Sequence, residues 1–276
     1  MQRIPGRRRY DGAVIPGNSY WERPPAEPLR RHVARAWASR VGPGSSPLLR
    51  RVVPDGCIDV IWLDGWLHVA GPDTGPVQVA LRPGALVVGV RFRPGLAPAL
   101  LDVPATELLD ARVDLDALWG RAAGPLAERL AGATGAEQAM AMLEGEVLAR
   151  LPSARPTDPL VEAVVDHLRQ APPAPVVSRI ATALGSSERQ LRRRCLAAFG
   201  YGPKTLDRIL RFQRFLALAR RAGPAAGLAT QAAEAGYADQ AHLTRECRSL
   251  GGLPPRLLLS GSATPAATPR APLTRR

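Results

Sequence analysis

The chain of 276 residues is long enough for one large domain or two ordinary ones, and 46% hydrophobic residues suffice for a sizeable buried core. It contains no charge-free run of about 18 apolar residues, and no apolar stretch of the signal-peptide type follows its basic N-terminus. Three cysteines, Cys57, Cys195 and Cys247, do not make a disulfide framework. We therefore expect a cytoplasmic protein with no membrane span.

The formal net charge of +13 suggests a polyanionic partner. Nearly all the basic residues are Arg and the chain is rich in Ala, Gly and Pro, so a GC-rich genome could also produce this bias. The distribution of charge is more informative. Residues 15–158 hold 15 basic and 16 acidic residues, whereas residues 159–259 hold 15 basic and 7 acidic residues. This asymmetry is typical of a neutral module joined to a nucleic-acid-binding module.

Composition also predicts the domain boundaries. Three prolines between Leu151 and Pro159 forbid a continuous helix there. The predicted organisation is a basic arm (1–13), an N-terminal domain (14–150), a linker (151–158), a C-terminal domain (159–261) and a disordered Pro/Thr/Ala-rich tail (262–276).

The first domain opens with strand-like runs. Asp64 and Gly65 separate two of them, and Asp-Gly between apolar runs is a strong hairpin signal because both residues tolerate positive φ. The predicted strands are Arg50–Val53, Cys57–Leu63, Trp66–Ala70, Val77–Leu81 and Ala85–Phe92. From Ala105 onward the pattern becomes helical, with one helix over residues 136–150. We therefore predict an α+β two-domain protein, with a β-rich N-terminal sensor-like domain followed by helices and an all-α C-terminal domain.

The C-terminal domain begins with a predicted helix over residues 159–170 and contains an internal repeat. In each copy an Ala is followed four residues later by a Gly, and then by Leu, Arg, Cys, Gly and Pro at identical spacings from Leu to Pro. The first copy is Ala181, Gly185, Leu191, Arg193, Cys195, Gly200 and Pro203, and the second is Ala232, Gly236, Leu243, Arg245, Cys247, Gly252 and Pro255.

This pattern suits a helix-turn-helix. The small Ala lets two helices approach, and the Gly can end the first helix in the left-handed conformation. The candidate N-caps of the second helices are Ser186 or Ser187 and, in the copy, Asp239. With Leu191 and Leu243 inside, the exposed faces for DNA are Arg189, Arg192 and Arg193 in the first copy and Gln240, His242 and Arg245 in the second. Residues 203–221 predict a long connecting helix. A generic helix pair with a solvated Arg face is the alternative, and two copies in register argue against it.

These residues resemble the DNA-binding domain of the AraC/XylS family. The resemblance rests on residues 181–185, 191–194 and 200–203, and above all on residues 236–246 followed by Gly252-Leu-Pro-Pro. It implies two recognition helices in successive major-groove segments on one face of the DNA. Cys195 and Cys247 stand where the family usually has Phe, which implies thinner cores and leaves a paired redox role open.

The N-terminal domain is similar to an uncharacterised β-rich domain found in such regulators. The similarity rests on three motifs, Val53–Trp62, Gly89–Gly95 and Pro104–Asp110. It implies a sensor or dimerisation role, and the aromatic pattern suggests an effector pocket near Cys57, Trp62 and Phe92.

The main alternative is a DNA-binding protein whose N-terminal domain is catalytic, with Cys57 as nucleophile. His32 and His68 lie far apart in sequence, so we expect no metal site, and the chain shows no catalytic set or cofactor motif. We predict a transcription regulator, activator or repressor, that is not an enzyme. Its partner is double-stranded DNA. Further candidate partners are RNA polymerase, a small-molecule effector and a second copy of the chain.

Overall fold

The computed structural model describes residues 8–9, 18–170, 177–222 and 227–260. The strands are β1 (Arg8–Arg9), β2 (Ser19–Arg23), β3 (Val33–Arg40), β4 (Leu48–Val52), β5 (Asp59–Leu63), β6 (Trp66–Ala70), β7 (Val77–Leu81), β8 (Leu86–Phe92) and β9 (Arg112–Asp114). The helices are α1 (Ala97–Leu101), α2 (Leu115–Trp119), α3 (Ala123–Ala131), α4 (Ala136–Arg150), α5 (Pro159–Gln170), α6 (Val177–Ala183), α7 (Glu188–Phe199), α8 (Pro203–Ala222), α9 (Leu228–Ala235), α10 (Gln240–Gly251) and α11 (Pro255–Leu259). Apart from residues 8–9, the predicted basic arm and the tail lie outside the described residues.

Seven strands form one antiparallel sheet in the order β1-β2-β3-β8-β5-β6-β9, and β4 pairs with β7 separately. Successive side chains of a strand point to opposite faces of its sheet. Val88, Val90 and Phe92 of β8 therefore belong to a first core, which α3 and α4 complete. Val87 belongs to a smaller cluster with residues of β4 and β7. Both faces of the large sheet are covered, one by helices and the other by the β4–β7 pair.

The predicted strands are present with small changes in their ends, and the hairpin is confirmed. Asp64 and Gly65 join β5 to β6 with φ of 48° and 89°, as the Asp-Gly signal requires. The prediction missed β2 and β3, and its helical reading from Ala105 was wrong at β9. The segment of β3, Val-Ala-Arg-Ala-Trp-Ala-Ser-Arg, is rich in Ala, which is depleted in strands. Pairing with β2 and β8 overrides that local preference.

The second core lies in the helical domain, where α8 runs through the centre. Its inward residues include Leu206, Ile209, Phe212 and Phe215, each fully buried. The predicted helices over 136–150, 159–170 and 203–221 are all found, the last extended by one residue. Among the described residues, no helix combines the length and the apolar character that a membrane span requires.

Residues 151–158, predicted as a linker, hold a short 3-10 helix (Leu151–Ser153) followed by an extended stretch. The backbone N–H of Arg155 donates to the carbonyl of Ala99, 2.9 Å away, and the Asp158 carboxylate accepts from the N–H of Leu160 at the start of α5. The boundaries proposed from the sequence stay a prediction.

Candidate nucleic-acid interface

The helical domain contains two helix-turn-helix units, the first formed by α6 and α7 and the second by α9 and α10. In both, the first helix ends at a Gly in the left-handed conformation, Gly185 (φ +60°) and Gly236 (φ +91°). The next residue donates its N–H to the carbonyl five positions back, Ser186 to Ala181 and Tyr237 to Ala232, each at 2.9 Å. A residue with a Cβ is strained at this backbone conformation, so the predicted role of the two glycines is confirmed.

The second helix of each unit begins at a predicted cap. Ser187 forms a capping box, in which the Gln190 N–H donates to Ser187 Oγ (3.2 Å) and the Ser187 N–H donates to Gln190 Oε1 (3.4 Å). Asp239 accepts from the His242 N–H at 2.6 Å. The cap of the first unit is therefore Ser187 and not Ser186. Both caps satisfy a backbone donor that the helix itself leaves unpaired.

The first unit presents a cationic face. Leu191 of α7 is fully buried, whereas Arg189, Arg192 and Arg193 are exposed. Within the part of the chain that the structure describes, none of these three guanidinium groups has an ion pair or a hydrogen bond. Their donors are therefore free to bind an anionic or hydrogen-bonding partner.

The second unit offers a smaller face. Gln240 and Arg245 are exposed on α10, and the Arg245 guanidinium has no partner among the described residues. His242 is half-buried, with its ring edge-on to Tyr237 at a centroid distance of 5.2 Å. Arg248, three residues after Arg245, is exposed on the same side of the helix. Sequence reasoning missed it, although the spacing of three from Arg245 was a usable signal.

Each recognition helix is also tied to the helix that precedes its unit. Arg194 of α7 pairs with Asp158, which precedes α5, with 3.1 Å between Nη1 and Oδ1. At the matching position of α10, Glu246 forms a bidentate pair with Arg208 of α8 at 3.0 and 2.9 Å. The hydrogen bond to Glu246 raises the pKa of Arg208 above its usual value. The two pairs have opposite polarity, and the sequence analysis had assigned neither of them.

Cys195 and Cys247 are fully buried in the second core, each four residues after the buried Leu of its helix, and both thiols are free. Burial raises the pKa of each thiol to about 12. Both fill a core position as small apolar side chains. Nothing tests a redox role for them.

The three residues predicted for an effector pocket lie in different surroundings. Trp62 and Phe92 belong to the first core. Cys57 follows the Asp55 turn, where its N–H donates to Asp55 Oδ1 at 2.9 Å. Burial raises the pKa of the Cys57 thiol well above its usual value, which disfavours a thiolate nucleophile there. The effector pocket stays a prediction.

Asp55 and Asp59, which flank Cys57, share one cation. Arg91 lies 3.1 Å from Asp55 and 2.8 Å from Asp59. Burial opposes the charge of Arg91, but the two carboxylates outweigh it and raise the pKa of the guanidinium well above its usual value. In the described part of the chain, no group of three or more His, Cys, Asp or Glu residues is arranged to hold a metal ion.

Two family models match the chain. Residues 22–114 match a domain of unknown function, DUF6597, and residues 180–260 match a helix-turn-helix domain. No curated protein matches the chain.

Solved structures of ToxT from Vibrio cholerae are similar to the chain at low identity. ToxT from strain O395 is 10% identical, with 84% of this chain and 98% of that chain covered and a TM-score of 0.46. The unsaturated fatty acid-bound wild-type ToxT from strain SCE256 is also 10% identical, with 83% and 95% covered and a TM-score of 0.44.

The matched helix-turn-helix model begins in the middle of α6 and extends just past the end of α11. The chain therefore joins an N-terminal domain from a family of unknown function to an AraC-type helix-turn-helix domain.

Proposed function

We propose that the protein regulates transcription by placing α7 and α10 in successive major-groove segments on one face of the DNA. The observation that carries this proposal is the repetition of the site. Both units have a left-handed Gly, a side-chain cap and a buried Leu, and the turn of the second unit is one residue longer. Each unit presents exposed Arg side chains that have no partner among the described residues. An α-helix fits the width of the major groove, so two such helices can read two segments.

The six residues proposed to contact DNA divide into two sets. Arg189, Arg192 and Arg193 act from α7, and Gln240, His242 and Arg245 act from α10. Arg can donate two hydrogen bonds to guanine and Gln can bind adenine in the same bidentate way, so these residues would set sequence preference. The N-termini of the recognition helices and the other Arg side chains would contact phosphates and set affinity.

The sheet domain is proposed to modulate this activity through an effector. Its packing against the helical domain supports a role in signal transmission. RNA polymerase and a second copy of the chain are further proposed partners. We also propose that the protein is not an enzyme, so that the N-terminal domain regulates DNA binding and catalyses no reaction.

The test compares Arg193→Ala with Arg245→Ala on a library of randomised operators. Each change removes one bidentate contact, worth about 1–3 kcal/mol of discrimination. We expect each variant to lose preference at a few base pairs, in two half-sites about one helical turn apart.

Arg221→Ala is the matched control, because Arg221 is exposed at the end of α8 and outside both recognition helices. It should lower affinity for all sequences by a similar, smaller factor. If the two test variants also lower every affinity equally and keep the preferred sequence, Arg193 and Arg245 only bind phosphates and the assignment of the reading faces is wrong.

A further inference from the structure

Three motifs of the N-terminal domain have no place in DNA reading. They are Val53–Trp62, Gly89–Gly95 and Pro104–Asp110, which are separate in the sequence. In the structure each of them contacts the helical domain, and all three contacts involve the end of α7 or the helices beside it. Three motifs that are separate in the sequence therefore meet at one place, the region around the end of α7.

The first motif supplies a loop that lies against α8. Val53 packs on the second core, and the carbonyl of Pro54 accepts a hydrogen bond from Gln213 Nε2 at 2.6 Å. A Cβ added to Gly56 would lie 3.4 Å from Leu206 Cδ1 and 3.6 Å from the Tyr201 hydroxyl, so this side of the loop faces the helical domain with room for no more than a methyl group.

The second motif brings a backbone turn against α5 and α7. A Cβ added to Gly95 would lie 2.6 Å from Val161 Cγ1 and 2.7 Å from Phe199 Cε1. Real Cβ atoms do not approach this closely, and φ at Gly95 is +82°. The position therefore favours glycine for two reasons, the lack of space for a Cβ and the left-handed backbone conformation. Arg91 of the same motif pairs with Asp55 and thereby connects this turn to the loop of the first motif.

The third motif closes the remaining side of the α7 end. Leu109 packs against the second core. The carbonyl oxygen of Ala105 would lie 3.0 Å from a Cβ added to Gly200, the residue at which α7 ends. Phe199 and Tyr201, on either side of Gly200, are 1% and 5% exposed. The end of the first recognition helix is thus enclosed by the N-terminal domain.

The second unit has much weaker contact with this domain. Arg51 Nη1 donates to the carbonyl of Gly251 at 3.3 Å, and a Cβ added to Gly252 would lie 2.7 Å from the same Nη1 and 3.1 Å from Pro76 Cγ. One long hydrogen bond and one proline do not enclose the end of α10. The N-terminal domain therefore holds the two recognition helices unequally.

We propose that the three motifs form a docking surface whose partner is the first helix-turn-helix unit of the same chain, and that docking sets the position of α7 on DNA. The proposal rests on the proposed function of α7 as a recognition helix. It gives the motifs of a domain of unknown function a specific task, which is to hold one of two reading helices and leave the other largely free. A conformational change in the N-terminal domain would then alter binding to the half-site contacted by α7 more than binding to the half-site contacted by α10.

The test uses the full chain with Gly95→Ala, and Gly84→Ala as its matched control. Gly84 has a similar φ of +79° but nothing within 4 Å of an added Cβ, so both variants carry the same backbone strain and only Gly95→Ala collides with the helical domain. Amide hydrogen exchange reports the docking directly. We expect exchange at residues 199–206 to accelerate at least tenfold in Gly95→Ala relative to Gly84→Ala, with the β5–β6 hairpin unchanged.

Binding to randomised operators gives the second readout. Gly95→Ala should weaken preference in the half-site that Arg193→Ala identifies and preserve it in the half-site that Arg245→Ala identifies. Equal exchange in the two glycine variants would refute docking. Faster exchange with an unaltered half-site would refute control of α7 by docking.

If Gly95→Ala also loses protection in the hairpin, Gln213→Ala is the deciding variant, because it removes the hydrogen bond to Pro54 without introducing a clash. It should accelerate exchange in the same residues by a smaller factor, and no acceleration would overturn the proposal. If Arg193→Ala leaves sequence preference intact, the proposed function fails, whereas the exchange experiment still tests the docking surface separately.

Discussion

The two helix-turn-helix units share a left-handed Gly and a cap four residues before the buried Leu, but they differ in what supports the end of the second helix. In the first unit Phe199 stands eight residues after the core Leu191, and the N-terminal domain covers it. In the second unit the matching residue is Gly251, and an added Cβ there would lie 2.6 Å from Leu258 of α11. One unit is completed by another domain and the other by the next helix of the chain. Similar local sequences can therefore serve different tertiary surroundings.

The ion pairs show the same contrast. The first unit presents a cation, Arg194, to the carboxylate before α5, and the second presents a carboxylate, Glu246, to a cation on α8. The two cations are equally exposed, Arg194 at 43% and Arg208 at 42%. The carboxylates differ, with Asp158 at 34% and Glu246 at 12%, so the pair of the second unit is the better enclosed of the two.

The largest expected difference between the units concerns their apolar supports. Phe199→Ala removes a fully buried ring that both domains contact, and such changes cost about 3–5 kcal/mol. Leu258→Ala removes a side chain that is only partly buried, so its effect on the free energy of unfolding should be smaller. Urea denaturation of the full chain measures both.

Leu257→Ala is the control for this pair, since Leu257 is 49% exposed. It should change stability by less than about 0.5 kcal/mol, as surface changes usually do. Equal losses from Phe199→Ala and Leu258→Ala would contradict this expected order.

A medium effect is expected from the ion pairs. Glu246→Gln keeps the shape of the side chain and removes its charge. After allowance for solvent screening at Arg208, we expect a loss of about 1 kcal/mol and reduced preference in the α10 half-site. Arg194→Gln should cost less because its pair is single and more exposed.

The charge-reversed double variant Arg208→Glu with Glu246→Arg should recover most of the loss, as judged by thermal unfolding and by operator selection. A double variant no better than Glu246→Gln would mean that the pair does not position α10.

The smallest effect concerns the two cysteines. Burial raises both pKa values to about 12, so at pH 8 both thiols stay protonated and should react slowly with iodoacetamide. Because reaction then requires local opening, Cys247 in the less supported unit should be alkylated faster than Cys195. Mass spectrometry of timed samples gives the two rates, and a faster Cys195 would reverse the order of support that the structure indicates.

Several features followed from the sequence because they depend on residues only a few positions apart. The Asp64-Gly65 turn, the left-handed Gly185 and Gly236, and the caps Ser187 and Asp239 are of this kind. In each case a local backbone conformation admits few residue types, so the residue type predicts the conformation. The repeated spacing also predicted the second helix of each unit, and Arg side chains are exposed on both of these helices.

Other features were decided only when distant segments met. The Ala-rich β3 became a central strand through its neighbours β2 and β8. Arg194 found its partner just before α5, and Glu246 found its partner on α8. The three N-terminal motifs could be recognised in the sequence, but their common contact with the end of α7 could not. Contacts of this kind depend on how two domains pack against each other. The packing surfaces are assembled from segments that are distant in the sequence, so no local sequence pattern predicts them.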